Sequence, residues 1–149
     1  MFDSFLVRSD SLENVYDASG KAVGFKFGVR LSNYRGIYVS LVNDFYVCMD
    51  GEEFSTEDYC LELNGMPPRT MEELIKYPFE HWDLQDEAML YVKKEGGLAP
   101  GMHSLDYLPS TMDAYGYQAH DDEWVVNPPK PGKGGGKQMR PCHFDLELQ

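Results

Sequence analysis

The chain has 149 residues, with 13 Lys+Arg against 25 Asp+Glu, for a formal net charge of −12 at pH 7. Apolar residues make up 42% and aromatics 13%, which excludes a disordered chain, and a single domain spanning 1–149 can bury roughly 68–70% of its unfolded surface. The acidic excess excludes nucleic acid and anionic membranes as principal partners, because both require a cationic footprint.

The chain opens on Met1-Phe-Asp-Ser-Phe-Leu-Val-Arg-Ser-Asp10. This stretch has neither the basic n-region nor the apolar h-region of a secretory signal. Val23-Gly-Phe-Lys-Phe-Gly-Val-Arg-Leu31 alternates strictly. It predicts a half-buried strand with Val23, Phe25, Phe27, Val29 and Leu31 on one face. Ile37–Met49 is β-branched and aromatic, but its alternation slips at Asn43-Asp44. That predicts one bulged strand or two short ones. Asp50-Gly51 is a hairpin turn signal, followed by strand-like Tyr59–Leu63 and a second turn at Asn64-Gly65.

Thr70–Tyr77 breaks the period of two. Thr70 and Glu73 stand at capping-box spacing, and Met71, Leu74 and Ile75 fall on one side. A two-turn helix closed by Pro78 is expected, with Pro67-Pro68 setting its entry. Ala88–Val92, Met102–Leu108 and Cys142–Leu148 again read as strands. The expected fold is mainly β, an antiparallel two-sheet β-sandwich with one short helix and a long Gly/Pro/Lys loop. That loop, residues 127–141, carries Lys130, Lys133, Lys137 and Arg140 and no acid. Its composition cannot bury itself, so it is expected to be exposed, and its charge suits docking to a partner.

No segment carries a strong catalytic signature. Gly132-Lys-Gly-Gly-Gly-Lys137 has three residues between its outer glycines where a P-loop needs four, and Gln138 replaces the hydroxyl that binds Mg²⁺. His81, His103, His120 and His143 form no paired ligand spacing. His120-Asp-Asp-Glu123 reads as a solvated acidic turn. His103 and His143 read as sheet-face residues satisfied by hydrogen bonds. Cys48 and Cys60 fall in apolar strand runs, where cysteines are usually inert core residues. Three cysteines, an odd number without metal spacing, are expected to be reduced thiols in a cytoplasm. Tyr107, Tyr115, Tyr117 and Trp124 cluster among acids. They read as sandwich packing first, then as an interface anchor or a sugar-stacking surface.

Several of these segments together resemble the small β subunit of bacterial C-glycoside deglycosidases. The matching residues are Val23–Leu31, Tyr34-Arg-Gly-Ile-Tyr-Val-Ser-Leu41 and the Met49-Asp-Gly51 turn. Downstream, Met89-Leu-Tyr-Val92 leads into Gly96-Gly-Leu-Ala-Pro-Gly-Met-His103. The resemblance covers about the first 110 residues and does not extend to the Lys/Gly loop.

It implies a β-sandwich that pairs, in a hetero-oligomer, with a larger α subunit resembling sugar-phosphate isomerases/epimerases. That TIM-barrel partner would carry a divalent metal, usually Mn²⁺, and the acid/base groups. The assembly would be a lyase cleaving the C–C bond between a 3-oxo-sugar and an aromatic, flavonoid-type aglycone. No catalytic, cofactor or metal residue of the family maps onto this chain, leaving Lys130, Lys133, Lys137 and Arg140 as its candidate interface residues. Two other readings are weighed against this one. One is a free-standing carbohydrate-binding sandwich that stacks sugars on Tyr or Trp; the other is a metalloenzyme centred on His103 or His120.

Overall fold

A computed structural model describes residues 6–30, 37–77, 79–83, 86–111 and 142–148. Four antiparallel strands form the first sheet in the order β1 (Glu13–Tyr16), β2 (Ala22–Val29), β8 (Ala88–Lys93), β6 (Tyr59–Glu62). The second sheet runs β10 (Cys142–Leu148), β9 (Gly101–Thr111), β4 (Val42–Met49), β5 (Glu52–Glu53), also antiparallel. A two-stranded ribbon, β3 (Ile37–Tyr38) with β7 (His81–Trp82), completes the sheet structure.

Aromatic rings join the two sheets. Phe27 of β2 meets Tyr107 of β9 edge-on at 5.7 Å, and Phe45 of β4 meets Tyr59 of β6 at 6.2 Å. Both are favourable T-shaped geometries. The inner faces supply Phe25, Phe27, Leu61, Leu90 and Val92 from one sheet and Val47, Met49, Leu105, Tyr107 and Leu146 from the other, all essentially without solvent contact. The sandwich expected from the strand spacing is therefore the architecture found.

Strand β2 follows its alternation from Phe25 onward, but Val23 is on the exposed side. The reason is a bulge: Val15 pairs with Gly24 and Tyr16 with Ala22, so Val23 has no partner across the ladder. One extra residue inverts the faces on its far side. Gly24 beside it is obligatory, because a Cβ there would collide with the Val92 carbonyl oxygen.

The slip at Asn43-Asp44 is also real. Chain 37–49 divides into β3, a 3-10 turn at Val39–Leu41, and β4, whose register with β9 shifts between Val42 and Asp44. Asp50 (φ 54°) and Gly51 (φ 88°) then close the β4–β5 hairpin with two left-handed residues, as a type I′ turn requires. Asn64 (φ 58°) and Gly65 (φ 74°) make the second expected turn, which returns the chain so that Arg69 bridges Leu61.

The helix is shorter than its sequence suggests. α1 spans Met71–Leu74, one turn, with the predicted capping box: Thr70 Oγ1 accepts from Glu73 N, and the Glu73 carboxylate accepts from Thr70 N. Met71 and Leu74 are buried, but Ile75 is 61% exposed. After Leu74 the turn tightens: Lys76 N donates to Glu73 O and Tyr77 N to Leu74 O, both at 3.1 Å. Ile75 is the C-cap, one residue beyond the α turn that holds Met71 and Leu74 against the core, and the 3-10 bonds that follow do not extend that buried face. The Tyr77-Pro78 step explains why no second α turn follows.

Candidate functional site

Several polar side chains are tied into structural clasps, although Arg69 Nε and the Tyr107 hydroxyl are buried without a hydrogen-bond partner. Arg69, only 4% exposed, forms a two-pronged ion pair with Glu80 (Nη1–Oε1 2.9 Å, Nη2–Oε2 2.6 Å), and its guanidinium lies 4.6 Å from the centre of the Tyr77 ring. Asn64 Nδ2 donates to the Glu80 carboxylate and to the His81 carbonyl. The Arg69 bond is the chief reason the Glu80 carboxyl lies below its usual range, against the opposing effect of burial. This clasp fastens the Asn64-Gly65 turn, the approach to α1 and the start of β7 to one another.

A second clasp holds the β8–β9 connection. His103 Nδ1 is 2.5 Å from Asp50 Oδ2, and His103 Nε2 is 2.6 Å from the Ala99 carbonyl. Both partners are acceptors, so the geometry suits an imidazolium donating from both nitrogens. Burial pulls its pKa down, but the Asp50 bond, the Ala99 carbonyl and the Asp50 charge outweigh that and leave it raised. Asp50 Oδ1 also accepts from Ser104 N at 2.9 Å, and Lys94 Nζ pairs with Glu52 at 2.6 Å. From the other side, the Asn14 side chain accepts from Leu98 N (2.8 Å) and donates to Leu98 O (2.9 Å). The glycine-rich segment 96–101 is therefore pinned at both flanks.

On the outer face of the second sheet, His143 sits between Asp106 (Nδ1, 2.8 Å) and Asp145 (Nε2, 3.0 Å), and these two bonds raise its pKa, Asp106 first. A third ion cluster joins Glu87 to Arg8 (3.0 Å) and Arg30 (3.2 Å) beside the bare backbone of Gly28. The expectation that His103 and His143 are sheet residues satisfied by hydrogen bonds agrees with these contacts. Neither offers a spare nitrogen to a metal ion. Among the described residues no group of three or more His, Cys, Asp or Glu is arranged to hold one.

The remaining candidates are dispersed. Cys48 and Cys60 are half-buried rather than core residues, because each alternates out of phase with its buried neighbours Val47, Met49, Tyr59 and Leu61. Burial raises the Cys60 thiol pKa, so it is not an activated nucleophile. Tyr107 is fully buried between the sheets and unavailable for stacking on a ligand. His120, Tyr115, Tyr117, Trp124 and the loop cations Lys130, Lys133, Lys137 and Arg140 lie outside the described residues. Among the described residues no helix is long and apolar enough to cross a membrane.

Two features escaped the sequence reading. The Arg69–Glu80 clasp left no periodic trace. An exposed apolar corner at Tyr38, Ile75, Tyr77 and Phe79, the last 91% exposed, was signalled only by the Pro-interrupted run Tyr77-Pro-Phe79.

Comparison with known proteins identifies the family of this β-rich chain. A family model described as C-glycoside deglycosidase beta subunit matches residues 2–115, which include strands β1 to β9. A protein from Eubacterium cellulosolvens named C-glycoside deglycosidase beta subunit is 31% identical over 103 residues, covering 68% of this chain and 69% of that protein. The match across β1–β9, on a two-sheet antiparallel frame, places this chain in the C-glycoside deglycosidase beta-subunit family.

Proposed function

We propose that the chain is the single-domain, non-catalytic subunit of a cytoplasmic, heteromeric C-glycoside deglycosidase. It stabilises a larger TIM-barrel subunit that binds a divalent metal such as Mn²⁺ and performs the chemistry. The reaction is an elimination. The keto group at C3 of the oxidised sugar acidifies the proton at C2; loss of that proton expels the aromatic aglycone with the electrons of the C–C bond, and the aglycone carbon is reprotonated. The observation that carries the reading is the family match through β1–β9. It is supported by the hydrogen bonds that His103 makes to Asp50 and the Ala99 carbonyl and His143 to Asp106 and Asp145, which give both rings a bracing role within the fold.

The carbohydrate-binding alternative is weakened because Tyr107 packs in the core. The metalloenzyme alternative is weakened at His103, whose two nitrogens already have acceptors. Co-expression with an isomerase-like larger subunit, followed by size-exclusion chromatography and metal analysis, tests the assignment. The expected result is one co-eluting complex whose metal stays with the larger subunit when the chains are separated. A chain that stays apart as a metal-bearing monomer would overturn it.

A further inference from the structure

Among the described residues seven large apolar side chains are exposed, and four of them lie on segments brought together by the β3–β7 pairing: Tyr38 on β3, and Ile75, Tyr77 and Phe79 on the chain leading into β7. The Tyr38 ring meets the His81 ring edge-on at 5.1 Å, and Val39 N donates to the Glu80 carbonyl at 2.8 Å, so Tyr38 and Phe79 flank the same backbone junction. Tyr77 is held flat by the Arg69 guanidinium beneath it, and Ile75 is presented by the capped turn of α1. The apolar side chains are thus carried on a braced segment, with the Arg69–Glu80 and Asn64 bonds fixing its backbone. Pre-organised display of aromatic anchors lowers the ordering cost of association.

Charge indicates what covers this corner. Along the same stretch of chain, among the described residues of 70–83, the exposed charges are Glu72, Glu73 and Asp83 against Lys76, and the whole chain carries −12. Two copies meeting here would oppose acidic rims on acidic molecules, which like-charge repulsion disfavours. The complementary surface is an apolar pocket bordered by Lys or Arg on a different chain. We propose that Tyr38, Ile75, Tyr77 and Phe79 form the anchor through which this chain seats on the larger subunit of the deglycosidase, an inference that rests on the subunit reading above. The partner supplies an apolar socket with a basic border.

The test measures the dissociation constant of the complex by interferometry with the co-expressed larger subunit. Its variants are Ile75→Ala/Phe79→Ala, and Tyr16→Ala/Met102→Ala as a control that removes comparable exposed apolar surface elsewhere. The anchor predicts that Ile75→Ala/Phe79→Ala raises Kd at least about 30-fold while the control stays within about three-fold. Both side chains are exposed, so unchanged melting of the variants shows that the fold is kept. Glu72→Lys should slow association most at low salt. A wild-type complex whose Kd is unmoved by Ile75→Ala/Phe79→Ala overturns the anchor and leaves the subunit reading standing. A wild-type chain that does not bind the larger subunit overturns both. Concentration-dependent self-association of the chain alone, abolished by Ile75→Ala/Phe79→Ala, would assign the corner to a second copy instead.

Discussion

Phe27 shows how much one side chain of β2 carries. It is completely buried, stacks against Phe25 at 6.3 Å and meets Tyr107 of the opposite sheet. Truncation to alanine removes both the transfer free energy and the packing between the layers. Phe27→Ala should therefore cost about 3–5 kcal/mol in urea unfolding. A loss below about 1 kcal/mol would mean the ring is not the contact between the sheets. His103 makes a different prediction. Its folded pKa is raised above the unfolded value of about 6.5. Its contribution is fully present below that value and disappears as pH rises through the folded pKa. Asp50, its partner, has a lowered pKa and stays ionised over that range. Thermal melts of wild type and His103→Ala between about pH 5.5 and 8.5 should therefore converge as pH rises past about 6.5. A gap that stays constant across that range would refute the clasp as an ionic one. His143 remains in both proteins, so the difference isolates His103.

At the scale of elements, what the sequence made legible follows from local chemistry. The β2 alternation from Phe25 to Val29, the Asp50-Gly51 and Asn64-Gly65 turns and the Thr70/Glu73 capping box each act within a few residues, and each lies where it was expected. What was hidden depends on partners distant in sequence. Val23 faces outward because it is the extra residue of the bulge against β1, and Ile75 lies at the C-cap, past the turn that buries Met71 and Leu74. Arg69 finds Glu80 eleven residues away, and Asp50 finds His103 fifty-three away. No periodicity records such contacts. The same reasoning applies to the candidate site: single histidines could be read as structural, but which acceptors hold them could not. The basic segment 127–141 provides the element-scale prediction. Replacing Lys130, Lys133, Lys137 and Arg140 together by Ser removes four positive charges and should slow assembly with the larger subunit, more at low salt than at high salt. Stopped-flow association rates that are equal for both proteins at low salt would exclude a steering role for the loop.

On the scale of the whole molecule, a net charge of −12, the bracing hydrogen bonds of His103 and His143 and an exposed apolar corner fit a component of an assembly. Obligate interfaces bury on the order of 2,000 Å² or more and favour aromatic and Met side chains, a composition this chain supplies with ten Tyr, eight Phe, two Trp and eight Met. The division of labour proposed here makes activity a property of the pair. The most direct measurement is the cleavage of a 3-oxo-C-glucoside by the purified complex, by each chain alone and by the two remixed. The account predicts aglycone release from the complex and from the remixed chains, with none from this chain alone. Aglycone release by this chain without the larger subunit would contradict it.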